Sequence, residues 1–227
     1  MAKRTTIFDA VASGDPARVK RKLAREPETI SSRDQDGLTP LMSALYLGKG
    51  DVVDALLTRE PELDIYEAAA LGRVADLRRL VGRSKRRAST PSTDGFTPLH
   101  LACFFGQTEA AEFLLDRGAD IEARSRNVRL SGVTPLHSAV AGAQTGVALL
   151  LLERGADPNA TQPGGWTPLH QAAAIGDLEL CKALLAAGAA RAAMADDRSR
   201  PLDFAIEKRH RAVVELLKTG SSSARRQ

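Results

Sequence analysis

One tetrapeptide recurs along the chain and limits what the chain can fold into. Near-copies of Thr-Pro-Leu-His stand at residues 39–42, 97–100, 134–137 and 167–170, and the last two begin 33 residues apart. A fixed period of this length is typical of stacked repeats, each of which packs against its neighbours. We therefore expect function on a continuous surface and not in a catalytic pocket.

Each copy carries the signals of a helix-turn-helix unit. Thr97 can cap a helix, and Pro98 suits the first helical position because the N–H that it lacks has no helical partner. Gly106 follows about two turns later, where a positive φ ends the helix. A second helix then shows apolar residues at helical spacing, as in Ala110 and Leu114.

The phrase resembles the signature of the ankyrin repeat, Thr-Pro-Leu-His-x-Ala at a period near 33. The resemblance implies an all-α repeat solenoid of about seven stacked helix-turn-helix repeats with hairpin-like finger loops. Degenerate copies extend one array over residues 1–220, and a disordered tail is expected at 221–227. The repeats are expected near residues 5–38, 39–62, 63–96, 97–133, 134–166, 167–199 and 200–220.

Two spacings depart from the period. The interval from Thr39 to Leu63, the expected equivalent of Thr97, is only 24 residues, with Glu60-Pro61-Glu62 where a finger should be. The interval from Thr97 to Thr134 is 37 residues, which lengthens the next finger by four within residues 124–132. The second repeat is thus expected to lack a finger, and the joint near Pro61 to be the weakest interface.

Composition excludes several classes of protein. Cys103 and Cys181 are far apart, which is no disulfide framework. No secretory signal is evident, and the longest apolar runs, such as Val147 to Leu152, are too short to span a bilayer. The net charge is +4 and the pI about 9.3, which is weak evidence for nucleic acid. We expect a cytoplasmic monomer without cofactors and without membrane association.

The histidines and cysteines do not predict an enzyme. His100, His137 and His170 occupy equivalent places in successive repeats, and stacked helices lie about 8–10 Å apart. They cannot share one metal ion, because zinc–nitrogen bonds are about 2 Å long. The resemblance implies a structural hydrogen bond for each, whereas His210 is expected to be exposed. Both cysteines are expected to be buried and inert, so we predict no catalytic and no metal site.

The resemblance places partner binding on the finger tips and on the exposed side of the first helices. Residues just before each Thr and just before each turn glycine are expected to line up as one strip, which is apolar although aromatic residues make up only 4% of the chain. Exposed aromatic residues are typical of binding hot spots. The predicted strip consists of Leu38, Tyr46, Leu47, Leu71, Phe96, Phe104, Phe105, Val133, Trp166 and Ile175. An alternative interpretation is that these bulky residues pack inward.

A second candidate surface is basic. A loop at residues 83–87 and the lengthened finger are expected to project side by side and to attract an acidic protein or a phosphate backbone. The cations concerned are Arg83, Lys85, Arg86, Arg87, Arg124, Arg126 and Arg129. The alternative is a solvated loop. Arg86-Arg87-Ala88-Ser89 also matches a basophilic kinase site, and phosphorylation of Ser89 would weaken the patch.

The sequence therefore predicts a non-catalytic scaffold or adaptor that binds a protein partner through finger tips and the concave first-helix face. One alternative is binding of nucleic acid or another acidic ligand through the basic fingers. Another is a regulatory or inhibitory subunit of an enzyme.

Overall fold

The computed structural model describes residues 6–82, 84–127 and 130–219 of the 227-residue chain, apart from the side chain of Lys85. Arg83, Arg129 and the tail 221–227 lie outside the described residues. The described residues form fifteen α-helices and one 3₁₀ turn. The chain is an all-α repeat solenoid, as the repeat period predicts.

The chain divides into two compact units, Met1–Glu67 and Ala68–Gln227. The elements up to this boundary are α1 (Ile7–Ala12), α2 (Pro16–Arg25), a 3₁₀ turn (Pro27–Ser31), α3 (Pro40–Tyr46), α4 (Gly50–Leu57) and α5 (Ile65–Ala70), within which the boundary falls. The second unit continues with α6 (Val74–Val81), α7 (Lys85–Ser89), α8 (Pro98–Phe104), α9 (Thr108–Asp116), α10 (Pro135–Ala141), α11 (Thr145–Glu153), α12 (Pro168–Ile175), α13 (Leu178–Ala186), α14 (Pro201–Glu207) and α15 (Arg211–Lys218).

The recurring tetrapeptide starts the first helix of a pair as expected. Thr97 is the N-cap of α8, and its hydroxyl accepts a hydrogen bond from the backbone N–H of His100 at 3.4 Å. In return, the backbone N–H of Thr97 donates to Nδ1 of His100 at 3.3 Å. This reciprocal pair is a capping box in which histidine replaces the usual glutamate. Pro98 occupies the first helical position.

Two layers of helices enclose the core of the second unit. The first helices contact one another in the series α8, α10, α12 and α14, and the second helices form the series α6, α9, α11, α13 and α15. The leucines that follow each proline, Leu99, Leu136 and Leu169, are at most 1% exposed. Full burial of one such side chain stabilises the fold by about 1.5–3 kcal/mol.

Hairpin-like fingers connect successive pairs in the second unit. Each finger closes with a backbone hydrogen bond from its first to its last residue, in the pairs Ser92–Phe96, Ser125–Val133, Gln162–Trp166 and Ala195–Ser199. The second of these loops is four residues longer than the others, at the place where the sequence spacing expands. Neighbouring fingers also bond to each other. The N–H of Arg126, in the second finger of this unit, donates to the carbonyl of Gly95, in the first, at 2.8 Å. A Cβ on Gly95, whose φ is +87°, would lie 2.3 Å from the backbone nitrogen of Asn127.

The interpretation of residues 83–87 as a loop is wrong for the described part of that segment. Lys85–Ser89 form α7, a short helix that contacts α6 and α8. Ala88 is fully buried, and the guanidinium of Arg87 donates to the carbonyl of Leu80 at 3.0 Å. These contacts hold the segment against its neighbours.

The connection between α4 and α5 consists only of residues 58–64. The expected equivalence of Leu63 with Thr97 is wrong by one residue. Asp64 stands in that position, since its side chain accepts hydrogen bonds from the N–H groups of Tyr66 and Glu67 at 2.9 Å each. The repeat spacing misplaces the start of this helix because α5 is one residue shorter than α8.

Glu67 consequently stands at the helical position that His100 holds in α8. Its side chain is buried, and its Oε1 accepts a hydrogen bond from the hydroxyl of Thr39 at 2.6 Å. Its Oε2 accepts a second one from the N–H of Asp64 at 2.9 Å. Burial raises the pKa of Glu67 above its ordinary value. A buried carboxylate thus ties the start of α5 to the N-cap of α3.

Replacement of Glu67 by alanine is expected to lower the free energy of unfolding by about 1–3 kcal/mol, because it leaves the buried Thr39 hydroxyl and the Asp64 N–H without their acceptor. Urea denaturation followed by circular dichroism measures this. The control is Glu28→Ala, which removes an exposed carboxylate from the 3₁₀ turn. Equal midpoints for both variants would show that the Glu67 contacts do not stabilise the fold.

Hydrogen exchange is expected to distinguish the segments on the two sides of Pro61. The short connection offers no finger to pair with its neighbours, and the boundary between the compact units falls a few residues later. In a repeat array, stability propagates through nearest-neighbour interfaces. We therefore predict that residues before Pro61 open at a lower free energy than those after Gly72, as measured by mass spectrometry under native conditions. Uniform protection across Pro61 would contradict this.

Candidate functional site

The histidines link each repeat of the second unit to the next finger. The Nε2 of His100 lies 2.8 Å from the carbonyl oxygen of Val133, and the Nε2 of His137 lies 3.3 Å from that of Trp166. His170 repeats the contact with the carbonyl of Ser199 at 3.3 Å. The structural role implied by the resemblance is therefore the one observed.

The hydrogen bonds of His100 and His170 require neutral rings with the proton on Nε2. In His100 and His170 the Nδ1 accepts from the backbone N–H of the capping threonine, so Nε2 must be the donor to the carbonyl. Burial lowers the pKa of His100 and His170, and lowers that of His137 to about 4. The charge of Arg124 is a smaller cause of the low pKa of His137.

His210 differs from the expectation of an exposed side chain. It is half-buried, and its Nε2 lies 3.1 Å from the carbonyl oxygen of Ala174. The ring packs over Gly176, where an added Cβ would approach within 2.4 Å of Nδ1. A contact between repeats therefore explains this residue too.

The cysteines offer no nucleophile. Cys103 and Cys181 are both buried free thiols. Burial raises the pKa of Cys181 to about 12 and raises that of Cys103 as well. In the described ranges, no three His, Cys, Asp or Glu side chains are arranged to hold a metal ion.

The predicted apolar strip is two rows in the second unit, at opposite ends of the first helices. Phe96 precedes Thr97, the N-cap of α8, whereas Phe104 and Phe105 stand at the other end of that helix. The seven residues of α8 separate these positions by about 10 Å. We call the residues before the capping threonine the finger row, and those before the turn the turn row.

The finger row is largely packed against the protein itself. Val133 is only 8% exposed, so its assignment to a binding surface is wrong: its carbonyl accepts from His100 and its side chain packs inward. Trp166 is half-buried, and its ring centroid lies 4.3 Å from that of Phe204. The ring centroids of Phe96 and His100 lie 5.8 Å apart. The alternative of inward packing applies to this row.

The turn row contains the most accessible position of the two rows in this unit. Ile175 is 42% exposed, and Phe104 and Phe105 are half-buried with their rings in an edge-to-face contact at 5.1 Å. The turn after α10 lies between the turns of Phe104 and Ile175 and contains Gly142, where an added Cβ would lie 2.1 Å from the carbonyl oxygen of Phe104. Leu71 is half-buried at the equivalent turn after α5.

The remaining predicted positions belong to the first unit. Leu47 is 52% and Tyr46 36% exposed at the turn after α3, and Leu38 is half-buried in the finger before it. Further exposed apolar side chains among the described residues, which the sequence does not single out, are Leu130, Leu149, Met194 and Ile206. Leu130 and Met194 lie on fingers, where no helical periodicity identifies them.

Two of the four described basic candidates bind backbone carbonyls. Arg124 donates to the carbonyls of Gly132 and Thr161, and so joins two neighbouring fingers. Arg87 is bound to the carbonyl of Leu80. Arg86 and Arg126 are exposed, while Arg83, Arg129 and the side chain of Lys85 lie outside the described part.

The kinase-site interpretation of Ser89 meets a structural obstacle. Ser89 is half-buried and is the last residue of α7, and the hydroxyl of the next residue, Thr90, donates to the carbonyl of Arg86 at 2.7 Å. The segment is therefore helical and is not the exposed loop that the sequence predicts.

Repeat geometry and sequence comparison agree on the class of protein. A family profile described as ankyrin repeats (3 copies) matches residues 7–125, 65–162 and 150–225. The chain belongs to the ankyrin-repeat family. Ankyrin repeats are general protein–protein interaction modules, and this fold is generally non-catalytic. The described residues hold no catalytic domain beside the repeats.

Three curated proteins of different kinds are similar to parts of this chain. The chain is 53% identical to ankyrin repeat and SOCS box protein 10 of Homo sapiens over 135 residues, covering 54% of this chain and 28% of that protein. It is 34% identical to DNA-binding protein RFXANK of Homo sapiens over 110 residues, or 47% and 42% of the two chains. It is also 34% identical to tyrosine-protein kinase HTK16 of Hydra vulgaris over 134 residues, or 58% and 17%. The chain thus spans less than half of each relative. Among the described helices, none is long and apolar enough to cross a membrane.

The buried histidines predict a loss of stability in acid. Because the pKa of His137 is about 4 in the folded chain and about 6.5 when unfolded, the unfolded chain binds the proton first. The stabilisation is complete above about pH 6.5 and decreases as the pH falls towards 4, by up to about 3 kcal/mol for this residue. Urea midpoints measured across this range should show the decline.

The matched variants are His137→Gln and Val140→Ala, two changes in buried residues of the same helix. Both should lower stability at neutral pH, but only His137→Gln should also flatten the pH dependence. A wild-type slope in His137→Gln would show that His137 does not titrate as its burial predicts.

Proposed function

We propose that this chain is a non-catalytic adaptor that holds a protein partner on the turn row of its second unit. The observation that carries the proposal is the 42% exposure of Ile175, with Phe104 and Phe105 half-buried two turns earlier along the stack, while the finger row packs against the protein itself. Aromatic and aliphatic anchors in a partly desolvated row are typical of binding hot spots.

The stacking of the first helices supports one continuous site in this unit. α8 contacts α10, and α10 contacts α12, so their ends follow one another. Small residues, Ala141 and Gly142, stand at the middle turn between the bulky ones. Phe104 and Phe105 on one side of this turn and Ile175 on the other offer apolar contacts to a partner. Such contacts favour apolar side chains on the partner.

Action on an enzyme in trans is one form of this proposal, because an adaptor that occupies an enzyme surface can inhibit or regulate it. The kinase and SOCS box names of the relatives describe those proteins. Similarity to their repeat regions is consistent with a recognition role for the same region here.

Nucleic-acid binding through the basic fingers has weaker support. The guanidinium groups of Arg87 and Arg124 already bind backbone carbonyls, and no aromatic side chain stands among the cations to stack on bases. One relative is named a DNA-binding protein, but the arrangement of these arginines does not favour that activity in this chain.

Partner capture tests the turn row. We predict that Phe105→Ser combined with Ile175→Ser reduces recovery of a specific partner at least tenfold, because two anchors each worth about 1 kcal/mol or more are lost. Affinity purification from cells of the source organism with quantitative mass spectrometry measures this. Circular dichroism checks that the helices remain.

The control is Leu149→Ser, which removes an apolar side chain of comparable exposure from α11. It should leave the recovered proteins unchanged. If the turn-row variant and the control recover the same proteins in the same amounts, the turn row is not the binding site.

A further inference from the structure

Helix α2 carries a concentration of positive charge that its own unit does not share. Residues 6–67 contain eight basic side chains and twelve acidic ones. Five of the eight basic residues lie within α2: Arg18, Lys20, Arg21, Lys22 and Arg25. Among the second helices of the described pairs, α2 alone exceeds a formal charge of +1.

Three of these cations share the outward face of the helix. Val19 and Leu23 are buried and define the inner face of α2. Arg18, Arg21 and Arg25, at spacings of three and four residues, lie together on the opposite side, and all three are exposed. We call them the arginine stripe, which is about 10 Å long.

The arginine stripe is poorly neutralised within the described unit. Arg18 and Arg25 form no ion pair with any described residue, and Arg21 approaches Asp15 only at 3.8 Å with both side chains exposed. Lys22, in contrast, binds Glu26 at 2.7 Å. Folding needs only the apolar inner face of α2, so the stripe is not explained by packing.

We propose that the arginine stripe docks an acidic α-helix of a protein partner, with carboxylates at positions i, i+3 and i+7. Two helices have the same rise per residue, so carboxylates at this spacing meet the three guanidinium groups in register. Arginine suits this role better than lysine because its planar fork binds both oxygens of a carboxylate.

The surroundings of the stripe favour a short acidic helix over a longer polyanion. Outside α2, the described first unit holds three basic residues against twelve acidic ones. A DNA duplex or an anionic membrane would extend beyond the stripe and face this negative charge. α2 also exposes no aromatic or long aliphatic side chain that could stack on bases or enter a bilayer.

Binding measurements on the full chain test the proposal. The probes are two alanine-rich helical peptides with three glutamates each, one with the glutamates at i, i+3 and i+7 and the other with them spread around the helix. Fluorescence anisotropy at low salt should show binding of the aligned peptide, and binding several-fold weaker for the dispersed peptide. The variant R18E/R21E/R25E should bind the aligned peptide about tenfold more weakly, because each exposed ion pair contributes a few-fold.

The matched control is K208E/R209E/R211E, which reverses three exposed cations of the last repeat. It should bind the aligned peptide within twofold of the wild type. Equal loss in both variants, or equal binding of both peptides, would overturn the proposal. So would absence of peptide binding at low salt, or tighter binding to a short DNA duplex or to phosphatidylserine vesicles. Unchanged circular dichroism excludes unfolding as the cause of any loss.

Discussion

The hydrogen bond from a buried imidazole to a backbone carbonyl of the next finger determines how the second unit is assembled. His100 and its equivalents cap their own helix through Nδ1 and reach the following repeat through Nε2. One neutral side chain therefore fixes both the start of a helix and its register with the next repeat. This geometry requires the proton on Nε2, so the repeat interfaces depend on a single protonation state.

The first unit solves the same problem with different chemistry. Met42 occupies the position of the linking histidine in α3 and has no N–H to donate from its side chain, and Glu67 of the next helix binds backwards to the hydroxyl of Thr39 instead. The carboxylate of Glu67 accepts two hydrogen bonds, from the hydroxyl of Thr39 and from the N–H of Asp64, and these donors stand at the starts of α3 and α5. The departure from the repeat period is thus matched by a change in the linking residue.

The repeat class, the fingers and the structural histidines can be predicted from the sequence because they follow from local signals at a fixed period. The start of α5 cannot, because Asp64 replaces threonine as the cap and the helix is one residue shorter. Exposure of the candidate site is also beyond the sequence. Val133 and Ile175 are both apolar, yet Val133 is buried with its carbonyl bound to His100, whereas Ile175 is exposed at a turn. The outward alignment of the arginines in α2 is readable from helical spacing once the buried face is known.

The substitution of a carboxylate for an imidazole gives these two buried links opposite responses to protons. Burial raises the pKa of Glu67, so its contribution to stability is greatest in acid and declines as the pH rises through the raised value. The histidines respond in the reverse direction, because burial lowers their pKa. Acidification thus destabilises the histidine-linked repeats while it relieves the cost of burying the charge of Glu67, and the two ends of the chain need not unfold under the same conditions.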